Sequence, residues 1–390
     1  MAGHIEERGN SFRLVYMKDK KKHCKTVKAA SPKAAEKELA KFIAEIEGNN
    51  FIEPSKITFE TFIKRWLTEY AERDLAPKTV HRYKQILDTR VIPALGHLKL
   101  EQIRPVHLIE FYNNLTEDGI RKDGKKGGLS GKTIMQHHRI ISSILNDAVQ
   151  WQVIGSNPAS RVKPPKVQRK EAKYYDELQT ALLLETVEKD SIKKKTLKHK
   201  TLVHFALFGG MRRGEIMGAE WGDMDFEEKT IRVERSSQYI PGHKELITKD
   251  PKNETSKRLI SLPASLVTLL KQYKAEQNEH RLKLGDKWQE SDRLFTTWDG
   301  RPGHPDWPSR WFCKFVKEKN LPPLNFHGLR HTSITLLISQ GCDIAAASKR
   351  AGHANVSTTG NIYSHALKSA DRDAADKLEN LFSEKLKKQA

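Results

Sequence analysis

The sequence predicts a multidomain α+β protein: a small three-stranded sheet plus a helix, then a helical bundle, then a mixed α/β domain. Three observations lead there. The chain has 390 residues, long for one average domain and suited to two or three. Its hydrophobic pattern changes twice, from short alternating runs to helical stripes near Ile57, and to mixed runs after about Lys173. A stretch rich in proline and basic residues, NPASRVKPPKVQRK from Asn157 to Lys170, separates the second pattern from the third.

Residues 1–50 form the first predicted unit. SFRLVYM and KHCKTVKA are strand-like runs separated by the lysine-rich turn KDKKK. Ser31-Pro32 then opens a helix, with serine as N-cap and proline at the first helical position. Ala35, Leu39, Phe42, Ile43 and Ile46 share one helical face, and Gly48 ends it. So small a sheet buries little surface. Its basic strands suit presentation to DNA, because a two-stranded ribbon fits the major groove. The candidate contacts are Arg13, Lys18, Lys20, Lys21, Lys22 and Lys25.

Residues 57–156 read as helical throughout. Phe59, Phe62, Ile63, Trp66, Leu67 and Tyr70 form one apolar stripe, and a second helix starts near Pro77 and runs through VHRYKQILDTRVI. A third covers PVHLIEFYNNL, and Ser130 caps a fourth whose Ile134, Ile140, Ile141, Ile144 and Ala148 face inward. Such helices with short links make a compact bundle. Residues 157–172 read as an extended linker able to track a phosphate backbone, with Arg161, Lys163, Lys166 and Arg169 as candidate contacts. Residues 173–390 hold a helix ending near Phe208, strands in TIRVERSS and KRLISLP, and a long helix from Ala264. A helix near Trp311 and helices over 327–340 and 343–350 follow.

Composition narrows the function. Lys plus Arg is 69 against 49 for Asp plus Glu, a net charge of +20 that fits a polyanionic partner, DNA or RNA by default. Basic runs recur at Lys18–Lys28, Arg121–Lys132, Arg161–Lys170 and Lys193–Lys200, as several contacts with a long polymer require. No apolar run approaches the ~18 uncharged residues of a membrane span, and MAGHIEERGN carries no secretory signal. Cys24, Cys313 and Cys342 make no CxxC pair, so neither a disulfide framework nor a zinc ribbon is expected and a cytoplasmic setting is.

The chemistry gathers in the last segment. FALFGGMRRGEIMGAEW places Arg212 and Arg213 where one helix breaks at Gly209-Gly210 and another starts. In NFHGLRHTS, His327 and Arg330 are three apart and share a helical face. AGHANVSTTGNIYSH adds His353 and Tyr363. His327 and His331 have zinc-like i, i+4 spacing but no third ligand of suitable spacing, so a zinc clamp is not expected. Together the set describes one reaction. Opening a phosphodiester without metal needs guanidinium forks on the phosphate oxygens. It also needs a nucleophile, here a phenol that arginines make more acidic, and proton carriers.

GMRRGE, HGLRH, AGH and NIYSH, in this order, resemble the tyrosine recombinases of the lambda-integrase type. The first unit is similar to their arm-site-binding domain, and KTVHRYKQILDTRVIPALGHLKL to their helical core-binding domain; the last segment then corresponds to the tyrosine-recombinase catalytic domain. The resemblance implies a catalytic set of Arg212, Lys252, His327, Arg330 and His353 with Tyr363 as nucleophile. Lys252 comes from matching PKNETSKRLISLP to the family's β-hairpin, with Lys249 close by as the alternative. It further implies a 3′-phosphotyrosyl intermediate, a Holliday junction and no metal or ATP. The implied partners are double-stranded core and arm DNA and a homotetramer; an excisionase or a host DNA-bending protein is a candidate accessory. The stripe Leu367, Ala370, Ala374, Leu378, Leu381 and Leu386 predicts a C-terminal helix, which the family lends to a neighbouring subunit. Two rivals stand beside this reading. A type IB topoisomerase would have no use for an arm-binding-like unit, and a non-catalytic DNA-binding regulator would have no use for the full set of reactive residues.

Overall fold

A computed structural model of the chain describes residues 3–18, 21–47, 57–167, 172–243, 246–249, 257–362 and 379. It divides into two compact units, Met1–Arg169 and Lys170–Ala390.

In the first unit, β1 (His4–Arg8), β2 (Ser11–Lys18) and β3 (Lys21–Val27) form an antiparallel meander in that order. The first strand, HIEER, has no apolar alternation of its own and takes its place by pairing, Ile5 with Leu14 and Glu7 with Phe12. α1 (Pro32–Glu47) covers one face, burying Phe42 and Ile46 against Leu14 and Tyr16. Ser31 Oγ accepts the Ala34 N–H at 3.3 Å, so the cap forms as its residue type requires. Gly48, expected to end α1, lies outside the described residues.

The bundle follows. α2 (Phe59–Trp66) passes through a π turn, Leu67–Ala71, into Glu72–Asp74. α3 (Pro77–Ile86) does the same through Leu87–Val91 into Ile92–Leu95. Each π turn holds one extra residue per turn, and Leu67, Ala71, Leu87 and Val91 all stay buried across it. α4 (Pro105–Asn114) and α5 (Gly131–Gln150) complete the core. Trp66 is fully buried, and its Nε1–H donates to Asp147 of α5 at 2.6 Å. The stretch expected to be extended from Asn157 instead begins as a 3₁₀ turn, Pro158–Arg161. Asn157 caps it and donates to Asn146 at 2.7 Å, which draws Ala159 and Val162 into the bundle core.

In the second unit, α6 (Glu177–Lys194) and α7 (Lys198–Gly209) precede the short α8 (Arg213–Gly218). β4 (Met224–Asp225), β5 (Thr230–Val233) and β8 (Arg258–Ser261) make one sheet, while β6 (Ser236–Gln238) and β7 (Ile247–Lys249) pair separately. TIRVERSS is therefore two strands in two sheets. It breaks at Arg235, which ion-pairs with Asp223 and Glu220, each at 2.7 Å. α9 (Ala264–Leu284), α10 (Trp307–Glu318), α11 (Phe326–Ser339), α12 (Ile344–Ala351) and α13 (Val356–Ile362) close the unit. Most residues of α7 and α11 are buried.

Candidate active site

Four of the six residues expected to carry the chemistry converge where α7, α8, α11 and α12 meet. α7 ends at Gly210, whose φ of +59° turns the chain sharply. Two residues on, Arg212 has extended backbone and precedes α8. α8 lies hard against β6 because Gly214 and Gly218 share its inner face. A Cβ on Gly214 would stand 2.5 Å from Ser236 Oγ, and one on Gly218 3.0 Å from the Arg235 carbonyl. This close fit fixes where Arg212 emerges.

The Arg212 guanidinium is held on two sides. Nη1 donates to Glu215 Oε1 at 2.8 Å and Nη2 to the Gly352 carbonyl at 2.5 Å, while the Arg212 backbone N–H donates to Glu215 Oε2 at 2.9 Å. Its side chain keeps 38% of its surface exposed, enough to meet a ligand. Arg213 turns away, donating to Ser309 Oγ at 2.8 Å and pairing with Asp306 at 2.6 Å.

Asn325 caps α11 by accepting the Gly328 N–H at 2.9 Å, and this starts the helix that carries His327, Arg330 and His331. Arg330 is 3% exposed; Nη1 donates to the Gly210 carbonyl at 2.6 Å and Nη2 to the Ala351 carbonyl at 2.5 Å. One guanidinium thus joins the carboxyl ends of α7 and α12. His327 and His331 stack edge to face with centroids 4.8 Å apart. Past α12, Gly352 adopts φ +64° and presents His353, whose Nδ1 lies 2.8 Å from the Oγ1 of the fully buried Thr359.

The electrostatics reflect this crowding of cations. Burial, then Arg330, Arg212 and Arg213, lowers His327 below the usual histidine value. Burial and then Arg330, Arg212, His331 and Arg258 bring His353 down to about 4. His331 falls to about 4 by burial and then by His327 and Arg330. Neutral imidazoles at neutral pH can donate one N–H without adding repulsion. An incoming phosphate would raise these values and make them better donors.

Lys252 and Tyr363 lie outside the described residues. Lys249 is the last residue of β7. Sequence reasoning missed three other residues here. In the sequence Glu215 is only one letter of a motif, although a carboxylate three positions after an N-capping residue is a sign of reciprocal capping. Arg258 shares the inward register of β8 with the buried Ile260, an unusual place for an arginine. Thr359 carries no signal apart from its spacing to His353.

The basic candidates of the first unit do not form one patch. Strand alternation puts Arg13 and Lys22 on the face turned away from α1, near Glu6 at 3.7 and 3.9 Å. Lys18 and Lys25 turn toward α1: Lys18 Nζ donates to the Ile46 carbonyl at 2.8 Å, and Lys25 lies over the Phe42 ring at 5.9 Å. Lys21, paired directly with Lys18, shares their face. Arg161, Lys163 and Lys166 are exposed, whereas Lys20 and Arg169 lie outside the described residues.

Profiles of two protein families match the chain: the phage integrase family over residues 173–370, and the phage integrase N-terminal SAM-like domain over residues 58–116. A tyrosine recombinase XerC-like protein of Caldanaerobacter subterraneus is 27% identical over 361 residues, 90% of each chain. The ICEBs1 integrase of Bacillus subtilis is 27% identical over 354 residues, 91% of each. Among solved structures, the Tn1549 transposon integrase in complex with a circular intermediate DNA superposes with a TM-score of 0.66 at 21% identity. That likeness covers 83% of this chain and 100% of that one. A lambda integrase dimer bound to a COC′ core site gives 0.55 at 16% identity over 92% and 94% of the two chains. These two likenesses concern the fold.

Proposed function

The chain belongs to the phage integrase family and is a tyrosine recombinase that breaks and rejoins DNA, and from that premise we propose how its residues divide the work. Arg212 and Arg330 hold the non-bridging oxygens of the scissile phosphate, with His327 and His353 donating further hydrogen bonds. The observation that carries this is the convergence of the four side chains on one place, with both guanidiniums fixed by backbone carbonyls before any substrate arrives. Donors oriented in advance stabilise developing negative charge without a reorganisation cost at the moment of reaction.

In this reading the Tyr363 phenolate oxygen attacks phosphorus, and the bond from phosphorus to the 5′ oxygen breaks. The leaving oxygen takes a proton from Lys252, or from Lys249 three residues earlier. The 3′-phosphotyrosyl bond stores the energy of the broken linkage, and a 5′ hydroxyl from a new partner reverses the step. The Thr359 hydroxyl, donating to His353 Nδ1, would leave Nε2–H to face the phosphate. The face of the β1–β3 sheet turned away from α1 is the arm-DNA reader and the bundle the core-DNA reader; the core-DNA role is supported by a lambda integrase dimer of like fold bound to a core site. A tetramer on two paired sites, with an excisionase or a host DNA-bending protein, belongs to the same reading.

A suicide substrate nicked beside the cleavage point tests it. Wild-type protein should form a covalent adduct with DNA, EDTA should leave the yield unchanged, and Tyr363→Phe should bind the same DNA without forming the adduct. An adduct with the Phe variant would remove Tyr363 as the nucleophile.

A further inference from the structure

Three consecutive carbonyls at the carboxyl end of α12 are each taken by a different arginine. Arg258 Nε donates to Arg350 O at 2.8 Å, Arg330 Nη2 to Ala351 O at 2.5 Å, and Arg212 Nη2 to Gly352 O at 2.5 Å. Two of these arginines belong to the phosphate clamp proposed above. The third plays another part: the Arg258 side chain is 4% exposed, and its Nη1 and Nη2 grip the two oxygens of Glu215 at 3.3 and 2.8 Å. Glu215, 3% exposed, holds Arg212 at both its backbone N–H and its guanidinium. Arg258 therefore touches, through one carboxylate and one carbonyl, the supports of two residues from separate elements.

We propose that Arg258 is a positioning residue for strand cleavage, fixing the Arg212 guanidinium and the His353 imidazole relative to each other by tying Glu215 to the end of α12. The fit beneath the turn is tight. A Cβ on Gly352 would stand 2.7 Å from Arg258 Nη1, and the backbone there already has φ +64°. The residue that presents His353 thus rests on the Arg258 guanidinium, so a shift of one moves the other. β8 also begins six residues after Lys252, so the same arginine anchors the strand that follows the proposed general acid.

The charge of Arg258 matters as well as its shape. Among the described residues, the cations acting on Glu215 are Arg258 from β8 and Arg212 at the head of α8. Burial drives the Glu215 carboxyl upward, and hydrogen bonds from Arg258, then the Arg212 contacts, overcome this and hold it below its usual value. Without Arg258 the carboxyl would pick up a proton closer to neutrality. A protonated Glu215 is a poorer acceptor for Arg212, whose guanidinium would then lose one of its two supports.

The inference rests on the reading of Arg212 and His353 as phosphate ligands, and the test separates the two. Full-length wild type, Arg258→Gln, Arg258→Lys and Arg212→Ala are compared on the suicide substrate at saturating protein across the acid and neutral range. DNA affinity is measured in parallel. Arg258→Gln should bind DNA as wild type does but cleave ~10²-fold more slowly, the loss expected for a displaced catalytic group. Its rate should fall more steeply than the wild-type rate as pH drops through neutrality. Arg258→Lys, which keeps the charge without the fork, should cleave at an intermediate rate with the wild-type acid limb. A wild-type rate in Arg258→Gln overturns the proposal. So does a uniform slowing with an unmoved acid limb, which would mark Arg258 as merely structural. If Arg258→Gln does not melt cooperatively, Arg258→Lys decides alone: slowing at unchanged affinity supports the proposal and a wild-type rate overturns it. Normal cleavage by Arg212→Ala would instead bring down the underlying reading of the site.

Discussion

Replacing Arg330 by lysine keeps the positive charge and removes only the planar fork, which makes it a sharp probe of what the fork does. The arginine is 3% exposed and bonds two carbonyls from different helices, Gly210 O at 2.6 Å and Ala351 O at 2.5 Å. These carbonyls lie on separate chain segments, and a single ammonium on a flexible stem cannot reproduce both bonds while also facing a phosphate. One buried carbonyl is then left unpaired. Hydrogen bonds to charged groups contribute about 1.5–3 kcal/mol, so a loss of about 2 kcal/mol is expected, or roughly 30-fold in the folding equilibrium. For a unit of this size that lowers the melting temperature by about 4–8 °C. Cleavage should suffer more than stability, because loss of one preorganised donor to a transition state typically costs ~10²–10³-fold in rate. Thermal unfolding followed by circular dichroism and single-turnover cleavage of a suicide substrate give the two numbers. An Arg330→Lys protein that melts with wild type and cleaves within a few-fold of it would show that neither the helix-joining bonds nor the fork matters.

Three further outcomes follow from the geometry. Thr359→Val removes the hydroxyl beside His353 Nδ1 and should slow cleavage, and Thr359→Ser should restore it; equal rates for all three proteins would mean the contact does not orient the ring. His199, His331 and His353 are each depressed to about 4, first by burial, so the folded state favours their neutral forms. Unfolded histidines take up protons near 6.5, so the stability these groups contribute is complete above that pH and is lost as pH falls from there toward about 4. A melting temperature that rises with acidification through this window would contradict the assignment. On the sheet, Arg13→Ala and Lys22→Ala should each flatten the salt dependence of duplex DNA binding, by about 0.9 per lost phosphate contact. Lys18→Ala should leave that slope unchanged and lower the melting temperature, because Lys18 bonds the Ile46 carbonyl at the end of α1. The reverse pattern would exchange the two faces.

The parts of this protein written in local chemistry could be read from its sequence. Ser31 and Ser130 are caps because an oxygen in that position satisfies a free N–H at a helix start. The stripe from Phe59 to Trp66 is buried because its spacing matches a helical turn. What escaped depends on partners distant in the chain. HIEER becomes a strand only because β2 offers an edge, and the π turns in α2 and α3 preserve a common inner face that no single-helix periodicity reveals. TIRVERSS divides at Arg235 because two carboxylates, Asp223 and Glu220, lie in wait for it. In the candidate site, the motifs identified the residues proposed to meet the phosphate, the buried Arg330 among them. They did not identify Arg258, whose partners lie 43 and 92 positions away.

The carbonyls that surround the two clamp arginines bear on how tightly this site should grip its substrate. Gly210 and Gly352 stand at the carboxyl ends of α7 and α12, where the aligned peptide dipoles leave roughly half a negative charge each. Many anion sites are framed by helix amino ends, which add attraction. Here Arg212 and His327 stand at the amino ends of α8 and α11, while the carboxyl ends of α7 and α12 partly neutralise the two arginines. For an enzyme that trades one phosphodiester for another of nearly equal energy, such restraint is useful. If these arginines clamp the phosphate as proposed, a deeper well would trap the covalent intermediate and a shallower one would let the joined strand depart, so carboxyl ends beside the clamp would temper its pull.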